Sequence, residues 1–425
     1  MRDEPERPRL TSRVIDRSPV FYGWIVLAAG TFGIMATLPG QTVGVSVFLD
    51  EIIRDLGLSR SLVSTLYLIG TLVGSFVLPF VGRFIDRRGP RLTVVLVAAA
   101  FALACVWMGI VQGVVMLLIG FTLIRALGQG SLSLVSLHVI NVWFVRRRGL
   151  AIGLAGIGMA AATAVFPIAI EGLIRDVGWR QAYMLLGAAV ALTILPIGAW
   201  LYRGHPERFG QVPDRTTASA ARLAPAPDEP SYTPEAARRT LTFWIFITGA
   251  LLGSCLGTGL VFHHYSILAA SGIDRVTAAA AFVPFGVVSA IANLGTGYLM
   301  DRVQPRFLLS IMTLALGASL VMAPFITGPS TLLAYGVLLG LRGGMQSAIG
   351  GSVMAYYFGR AHIGAIKGIA TTMLVVGSAF GPLLFSLGLD VSGSYAPVLI
   401  GSAVPTIAFA LVVPFLRLKR DGRVI

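Results

Sequence analysis

The chain has 425 residues, 56% of them hydrophobic and only 12% charged, with a mean hydropathy of +0.82 and a net charge of +14. An average soluble domain is about a quarter charged, and 19 acids with 33 bases cannot cover the surfaces of the domains this length would make. The composition excludes an ordinary soluble enzyme, a disordered chain and a nucleic-acid-binding protein, and it points to a polytopic membrane protein.

The first 19 residues are charged and lack a short apolar core before a small-residue cleavage site, so they read as a tail and not as a cleavable signal peptide. A helix needs about 20 mostly apolar residues to cross a bilayer. Twelve runs meet that need: 20–48, 61–83, 92–112, 114–142, 149–172, 181–202, 241–270, 276–299, 306–326, 331–358, 364–388 and 394–417. The runs are too long and too uniformly apolar for barrel strands. The expected fold is all-α, with two six-helix bundles at 20–202 and 241–417. The polar stretch 203–240 links them, and 418–425 forms a closing tail. Within the linker, Ser231-Tyr-Thr-Pro234-Glu235 carries a helix-start signal. Cys105 and Cys255 lie in apolar runs and imply no disulfide framework.

The bases orient the chain. With the N-terminus cytoplasmic, 26 of the 33 Arg and Lys fall in cytoplasmic segments, five fall outside (Arg54, Arg60, Arg175, Arg180, Arg275), and Arg125 and Arg342 lie inside helices. This is the positive-inside pattern, and it places both termini and the linker in the cytoplasm. The net charge is therefore a topology signal.

The halves repeat at an offset of 215 residues. Gly82-Arg-Phe-Ile-Asp86-Arg87-Arg88-Gly89-Pro90-Arg91 after the second helix matches Gly297-Tyr-Leu-Met-Asp301-Arg302-Val-Gln-Pro305-Arg306 after the eighth. Gly149, Gly153 and Pro167 match Gly364, Gly368 and Pro382. Parallel repeats of this kind put a substrate site between the halves near the midplane.

The doubled GxxxDR segment, with Arg125-Ala-Leu-Gly128-Gln-Gly130 in the fourth helix, resembles the major facilitator superfamily. FYGWIVLAAG at 21–30, SVFLDEI at 46–52, WFVRRRGLAIGLAGIG at 143–158 and GWRQAY at 178–183 are similar to monocarboxylate transporters and to their oxalate:formate-antiporter-like relatives. The resemblance implies a secondary transporter, not an enzyme, that works as a monomer in a bacterial cytoplasmic membrane. It implies a small organic anion, a mono- or dicarboxylate, moved by alternating access with protons or by exchange. The chain departs from the narrower family in its first helix, which offers Gln41 and no lysine. It departs again in its eighth, which holds Asn293 and no charge before Asp301.

Arg125 and Arg342 are the sharpest candidates. A charge at that depth must face the bundle interior or water. Each is followed four residues on by an amide, Gln129 and Gln346, on the same helix face. A guanidinium fork beside an amide suits a carboxylate; the structural alternative is a bond to carbonyls of a neighbouring helix. Pairing the two arginines needs an offset of 217. The carboxylates fall in loops or near helix ends, Asp50 and Glu171 among them, so no mid-membrane acid is expected as a proton carrier. Two interior cations without an acid are the bottom-up reason to expect an anionic cargo.

Gln41, after the Pro39-Gly40 break, His263, His264 and Asn293 are further substrate-binding candidates, each with a plain packing alternative; Tyr67, Tyr335 and Ser347 follow. Asp86, Arg87, Arg91, Asp301 and Arg302 are the expected gate, with Asp86 near Gly364 and Asp301 near Gly149 when the cytoplasmic side is closed. Pro167, Pro382 and the glycines of the fifth helix read as bending and sliding surfaces, or as static packing. No cofactor or metal is implied. The alternatives are an exporter of apolar or cationic compounds and a non-transporting sensor on the same scaffold.

Overall fold

The computed structural model describes residues 15, 18, 20–144, 147–209, 211, 232–300, 302–359, 362–416, 418–420 and 423–424. Each of the twelve expected runs is helical. Among the described residues, ten stretches are long and apolar enough to cross a membrane: Gly23–Leu56, Arg60–Arg88, Pro90–Gly109, Val114–Trp143, Arg148–Leu201, Leu241–Phe262, Arg275–Leu299, Pro305–Phe325, Ile363–Ser392 and Ala396–Phe415. Arg148–Leu201 holds two of the expected runs, which meet at Gly178 (φ 79°). Pro329–Phe358, the tenth run, is 30 residues long but less apolar. Many large apolar side chains face outward, including Leu103, Leu192, Val391 and Phe415, as a lipid-facing surface requires.

Several boundaries differ from the sequence expectation. The first helix continues beyond residue 48 to Leu56, because Ile52 is buried on its inner face, and Gly57 then ends it in the left-handed region (φ 62°). The second helix bends after Ser75, resumes at Leu78 and runs to Arg88, so Asp86 and Arg87 sit on its last turn and not in a loop. Gly89 (φ 83°) makes the turn into the third helix. The fifth and sixth runs are joined without a loop, because the single residue Gly178 supplies the reversal. Thr233 starts the helical turn Pro234–Arg238, its hydroxyl accepting from the Ala236 amide. The C-terminal tail adds two-residue strands, Lys419–Arg420 and Arg423–Val424, that pair antiparallel.

Successive helices run antiparallel. The bundle therefore has a tail end, carrying Tyr22, Arg88, Trp143 and Leu201, and a far end, carrying Leu56, Arg60, Gly109 and Gly178. Tyr22 donates to the Leu201 carbonyl and Trp143 to that of Arg203 (both 3.0 Å), which ties the first, fourth and sixth helices at the tail end.

The packing repeats like the sequence. The first helix packs on the fifth as the seventh does on the eleventh; the second on the fourth as the eighth on the tenth; the third on the sixth as the ninth on the twelfth. The halves meet where the second helix crosses the eleventh and the fifth crosses the eighth. Glycines permit the close approaches. A Cβ at Gly336, Gly340 or Gly344 would stand 2.7, 2.6 or 2.2 Å from carbonyl oxygens of Ala281, Phe285 and Ser289 on the eighth helix. One at Gly381 would stand 1.9 Å from the Cys255 carbonyl. Such small-residue seams let helices in lipid gain contact that a hydrophobic drive does not supply.

Candidate functional site

A cavity of about 480 Å³ lies between the halves toward the tail end. The fifth helix contributes Gly149, Gly153 and Gly156, the eighth Asn293, and the tenth Ser347 and Ser352. Asn293 faces the fifth helix across the cavity; a Cβ at Gly156 would meet its Nδ2 at 3.2 Å. Among the described residues, a Cβ at Gly149, Gly364 or Gly368 would meet nothing within 4 Å, so the described parts of the halves do not touch there. At the far end they do. Tyr67 of the second helix lies against Phe262 of the seventh, ring centroids 4.6 Å apart, and Arg275 of the eighth pairs with Glu171 of the fifth. The structure is open at the tail end and closed at the far end.

Arg342 projects from the tenth helix onto the seventh and is only 7% exposed. Its Nη1 donates to the Gly253 carbonyl and to Gln346 Oε1, both at 2.9 Å. Gln346 Nε2 donates onward to the Ala250 carbonyl (3.4 Å). Two glycines make room. A Cβ at Gly253 would stand 2.7 Å from Gln346 Oε1, and one at Gly257 only 2.2 Å from Arg342 Nη1. Both bonds use the same nitrogen. Nε is buried without a partner, and among the described residues the edge formed by Nε and Nη2 makes no bond. Ser347, which lines the cavity, is five residues along, a rise of about 7.5 Å.

Arg125 is 4% exposed and engaged differently. Its Nε donates to Thr71 Oγ1 (3.0 Å), its Nη1 donates to the Gly40 carbonyl (3.2 Å), and its guanidinium lies 4.8 Å over the Tyr67 ring. Tyr67 in turn shares a hydrogen bond with Thr42 (2.8 Å). The Gly40 carbonyl is available because Leu38–Gly40 forms a 3-10 turn that interrupts the first helix. Each arginine thus holds a glycine carbonyl of the helix beside it, Gly40 on the first or Gly253 on the seventh. Residues Arg125–Leu132 form a π-helix, which takes one residue more than an α-helix over the same stretch. That accounts for one of the two residues by which the arginines slip against the repeat.

The amides part company. Gln346 bonds Arg342, whereas Gln129 makes no such bond and its Oε1 is buried without a partner. Gln41 donates to Thr37 Oγ1 (3.1 Å) beside the 3-10 turn. His263 lies inside the C-terminal half, with Nε2 on the Pro382 carbonyl (2.8 Å) and Nδ1 on the Tyr395 hydroxyl (3.3 Å). His264 bonds the Ala278 carbonyl (2.9 Å) and stacks on Tyr335. Neither histidine lines the cavity.

Among the expected gate residues, Asp86, Arg87 and Arg91 are exposed, and among the described residues none of them forms an ion pair. Arg302 lies 4.1 Å over the Tyr298 ring. Asp301 lies outside the described residues. Glu171, expected near the outer end of its helix, is 8% exposed and paired across the halves. Apolar flanks fixed the length of its helix but not which way this residue faces. Outside the spans, Asp274 caps the eighth helix through the Thr277 amide (3.0 Å), and the Thr277 hydroxyl and amide hold its carboxyl below the usual range.

The sequence matches the profile of the Major Facilitator Superfamily over residues 25–330 and again over 265–424. The chain belongs to this superfamily. It is 25% identical to human monocarboxylate transporter 11 over 397 residues, covering 88% of this chain and 78% of that protein. It is 25% identical to the oxalate:formate antiporter of Oxalobacter formigenes over 174 residues, 41% of each chain. A solved structure of a bacterial homologue of the human lysosomal transporter Spinster, inward-facing and occupied, is similar with a TM-score of 0.67. That match has 18% identity and covers 93% of this chain and 96% of the other. The superfamily assignment makes the chain a multi-pass secondary transporter of small molecules, not an enzyme.

Proposed function

We propose that this transporter carries a small organic anion, a mono- or dicarboxylate, by alternation of its two six-helix bundles. The observation that carries the reading is the unpaired edge of Arg342. Nε and Nη2 point the same way from a planar group, which is the geometry that grips a carboxylate with two parallel hydrogen bonds. No acid pairs with Arg342 or Arg125 among the described residues, so an anion is the complementary charge. The distant similarity to monocarboxylate transporters and to the oxalate:formate antiporter supports the same substrate class.

The distribution of bases supports cytoplasmic termini and linker, in a bacterial cytoplasmic membrane. With that orientation the tail-end cavity opens to the cytoplasm, and the structure is the inward-open state. In the outward-open state Asp86 then approaches the start of the eleventh helix at Gly364, and Asp301 approaches Gly149; Arg87, Arg91 and Arg302 lie where they can add ion pairs. Asn293 and Ser347 offer further polar contacts along the path. Gln41 and Gln129 flank Arg125, which acts by holding the first helix against the fourth. The protein works as a monomer, since each chain holds a complete pair of halves.

The test is uptake by proteoliposomes offered a panel of mono- and dicarboxylates, with and without a pH gradient. Carboxylate uptake that Arg342→Gln abolishes supports the reading. Unchanged uptake by that variant, or transport of apolar or cationic compounds alone, refutes it.

A further inference from the structure

Charge ties the two halves together at one place. Among the described residues seven ion pairs form, and five of them stay within the N-terminal half or the linker. The other two, Arg275 with Glu171 and Arg275 with Asp50, cross between the halves and share one side chain. Arg275 opens the eighth helix; its Nε donates to Glu171 Oε1 (3.0 Å) and its Nη2 to Oε2 (2.9 Å). Nη2 also donates to the Val47 carbonyl on the first helix (2.7 Å), and Nη1 stands 3.5 Å from Asp50. The guanidinium lies 5.0 Å over the Tyr265 ring of its own half. One cation of the C-terminal half therefore grips the first and fifth helices together.

The two acids are not held alike. Asp50 has a cation of its own half, Arg60, at 2.6 Å, so it keeps a partner whether or not the halves meet. Among the described residues Glu171 has no cation in ion-pair reach besides Arg275; Arg175, one turn further along the same helix, is turned toward Asp176 at 3.6 Å. On the other side, Asp274, the acid next to Arg275, is engaged by the amide and hydroxyl of Thr277. The pair is sheltered as well, with 10% of the Glu171 side chain and 28% of the Arg275 side chain exposed. A sheltered bidentate pair is stronger than an exposed one, which contributes little. At the tail end no ion pair joins the halves among the described residues. The charge attraction between the halves therefore favours the arrangement closed at the far end.

We infer that Arg275 is a latch, whose hold on Glu171 and the first helix makes the far-closed, tail-open arrangement the resting state of the empty transporter. Glu171 is the main catch, because it takes two parallel bonds and has no second cation. Asp50 is the lesser one, because it stands further off and stays with Arg60. Val47 and Asp50 lie on the first helix and Glu171 on the fifth, so release of one side chain frees both helices at once, as movement of the half as one body requires. The latch works with both groups ionised: when the far end opens, water takes the place of Arg275 around Glu171. The inference rests on alternation of the two halves and not on the identity of the cargo.

The test reads conformation without cargo, so it fails separately from the carboxylate proposal. Gln112→Cys and Ser394→Cys put spin labels on exposed far-end loops of opposite halves, with Cys105 and Cys255 replaced by serine. Distances are measured by pulsed EPR in lipid nanodiscs at neutral pH. The parent protein is expected to be mainly far-closed. Arg275→Gln and Glu171→Gln should each raise the far-open population several-fold. The double variant should open no further than Arg275→Gln alone, because both changes remove the same pair. Arg275→Lys should fall between, since it keeps the charge and loses the planar fork. Arg60→Gln removes a cation from the same cluster but within the N-terminal half, and is expected to leave the distribution unchanged. The latch is overturned if neither Arg275→Gln nor Glu171→Gln opens the far end, or if their effects add. Opening by Arg60→Gln as large as that by Arg275→Gln overturns it too.

Discussion

Arg342 rests on Gly257 with no room for a methyl group between them. A Cβ at Gly257 would stand 2.2 Å from Nη1 and 2.5 Å from Cζ. The glycine of the seventh helix thus sets the position of the guanidinium, and with it the direction of the unpaired Nε–Nη2 edge. Gly257→Ala is expected to displace the guanidinium while leaving its charge in place. Carboxylate transport should fall several-fold, with melting temperature in detergent little changed. Wild-type transport by this variant would mean that the guanidinium can move without consequence.

Replacing Arg342 itself separates charge from shape. Arg342→Lys keeps a cation but loses the planar fork, and charged hydrogen bonds are worth about 1.5–3 kcal/mol each. Affinity for a carboxylate is expected to fall at least tenfold, at about 1.4 kcal/mol per tenfold change. Arg342→Gln should bind more weakly still. Titration of carboxylates against the purified variants measures both.

Arg125 predicts a different outcome. All its visible bonds are internal, to Thr71 and the Gly40 carbonyl. Arg125→Gln should lower the stability of the N-terminal half by about 1–3 kcal/mol, because it leaves buried acceptors without a donor. A thermal-shift measurement reads the loss. A variant of unchanged stability but lost substrate affinity would reassign Arg125 as a direct ligand.

The seam between the eighth and tenth helices is expected to tolerate no side chain. A Cβ at Gly344 would meet the Ser289 carbonyl oxygen, a backbone atom, at 2.2 Å. Gly344→Val should cost about 1–3 kcal/mol or more, as overpacking of a close seam does. The measurable result is a reduced melting temperature or failure to recover folded protein.

The tail-end charges should act on rate and not on the stability of the observed state. Asp86 is exposed, and the start of the eleventh helix at Gly364 has open space beside it. Asp86→Asn is expected to leave the melting temperature unchanged and to slow transport, because it weakens only the state closed at that end. Counterflow across proteoliposomes at saturating substrate detects the change.

Much of the fold was legible in the sequence. Bilayer thickness fixes the length of each run, and the repeat at Asp86 and Asp301 marks the two halves. The far-end contact was not legible. Glu171 and Arg275 each looked like one charge at the end of an apolar run. The available signal was an acid of the fifth helix and a base of the eighth at the same predicted depth. His263 and His264 stood out by their chemistry, yet one ring nitrogen of each is engaged by a carbonyl of a neighbouring segment.

By itself the sequence determined the class of protein, the spans, the internal repeat and the depth of Arg125 and Arg342. These follow from hydrophobicity along one chain, which the bilayer converts directly into helix length. Only the tertiary structure decided what each charge faces. It joined Glu171 to Arg275 across 104 residues, and it gave Arg125 internal partners while leaving one edge of Arg342 unpaired. The reason is rotational. A helix that is apolar all round carries little periodicity to show which face turns inward, so its orientation is settled by glycine contacts and hydrogen bonds with other helices.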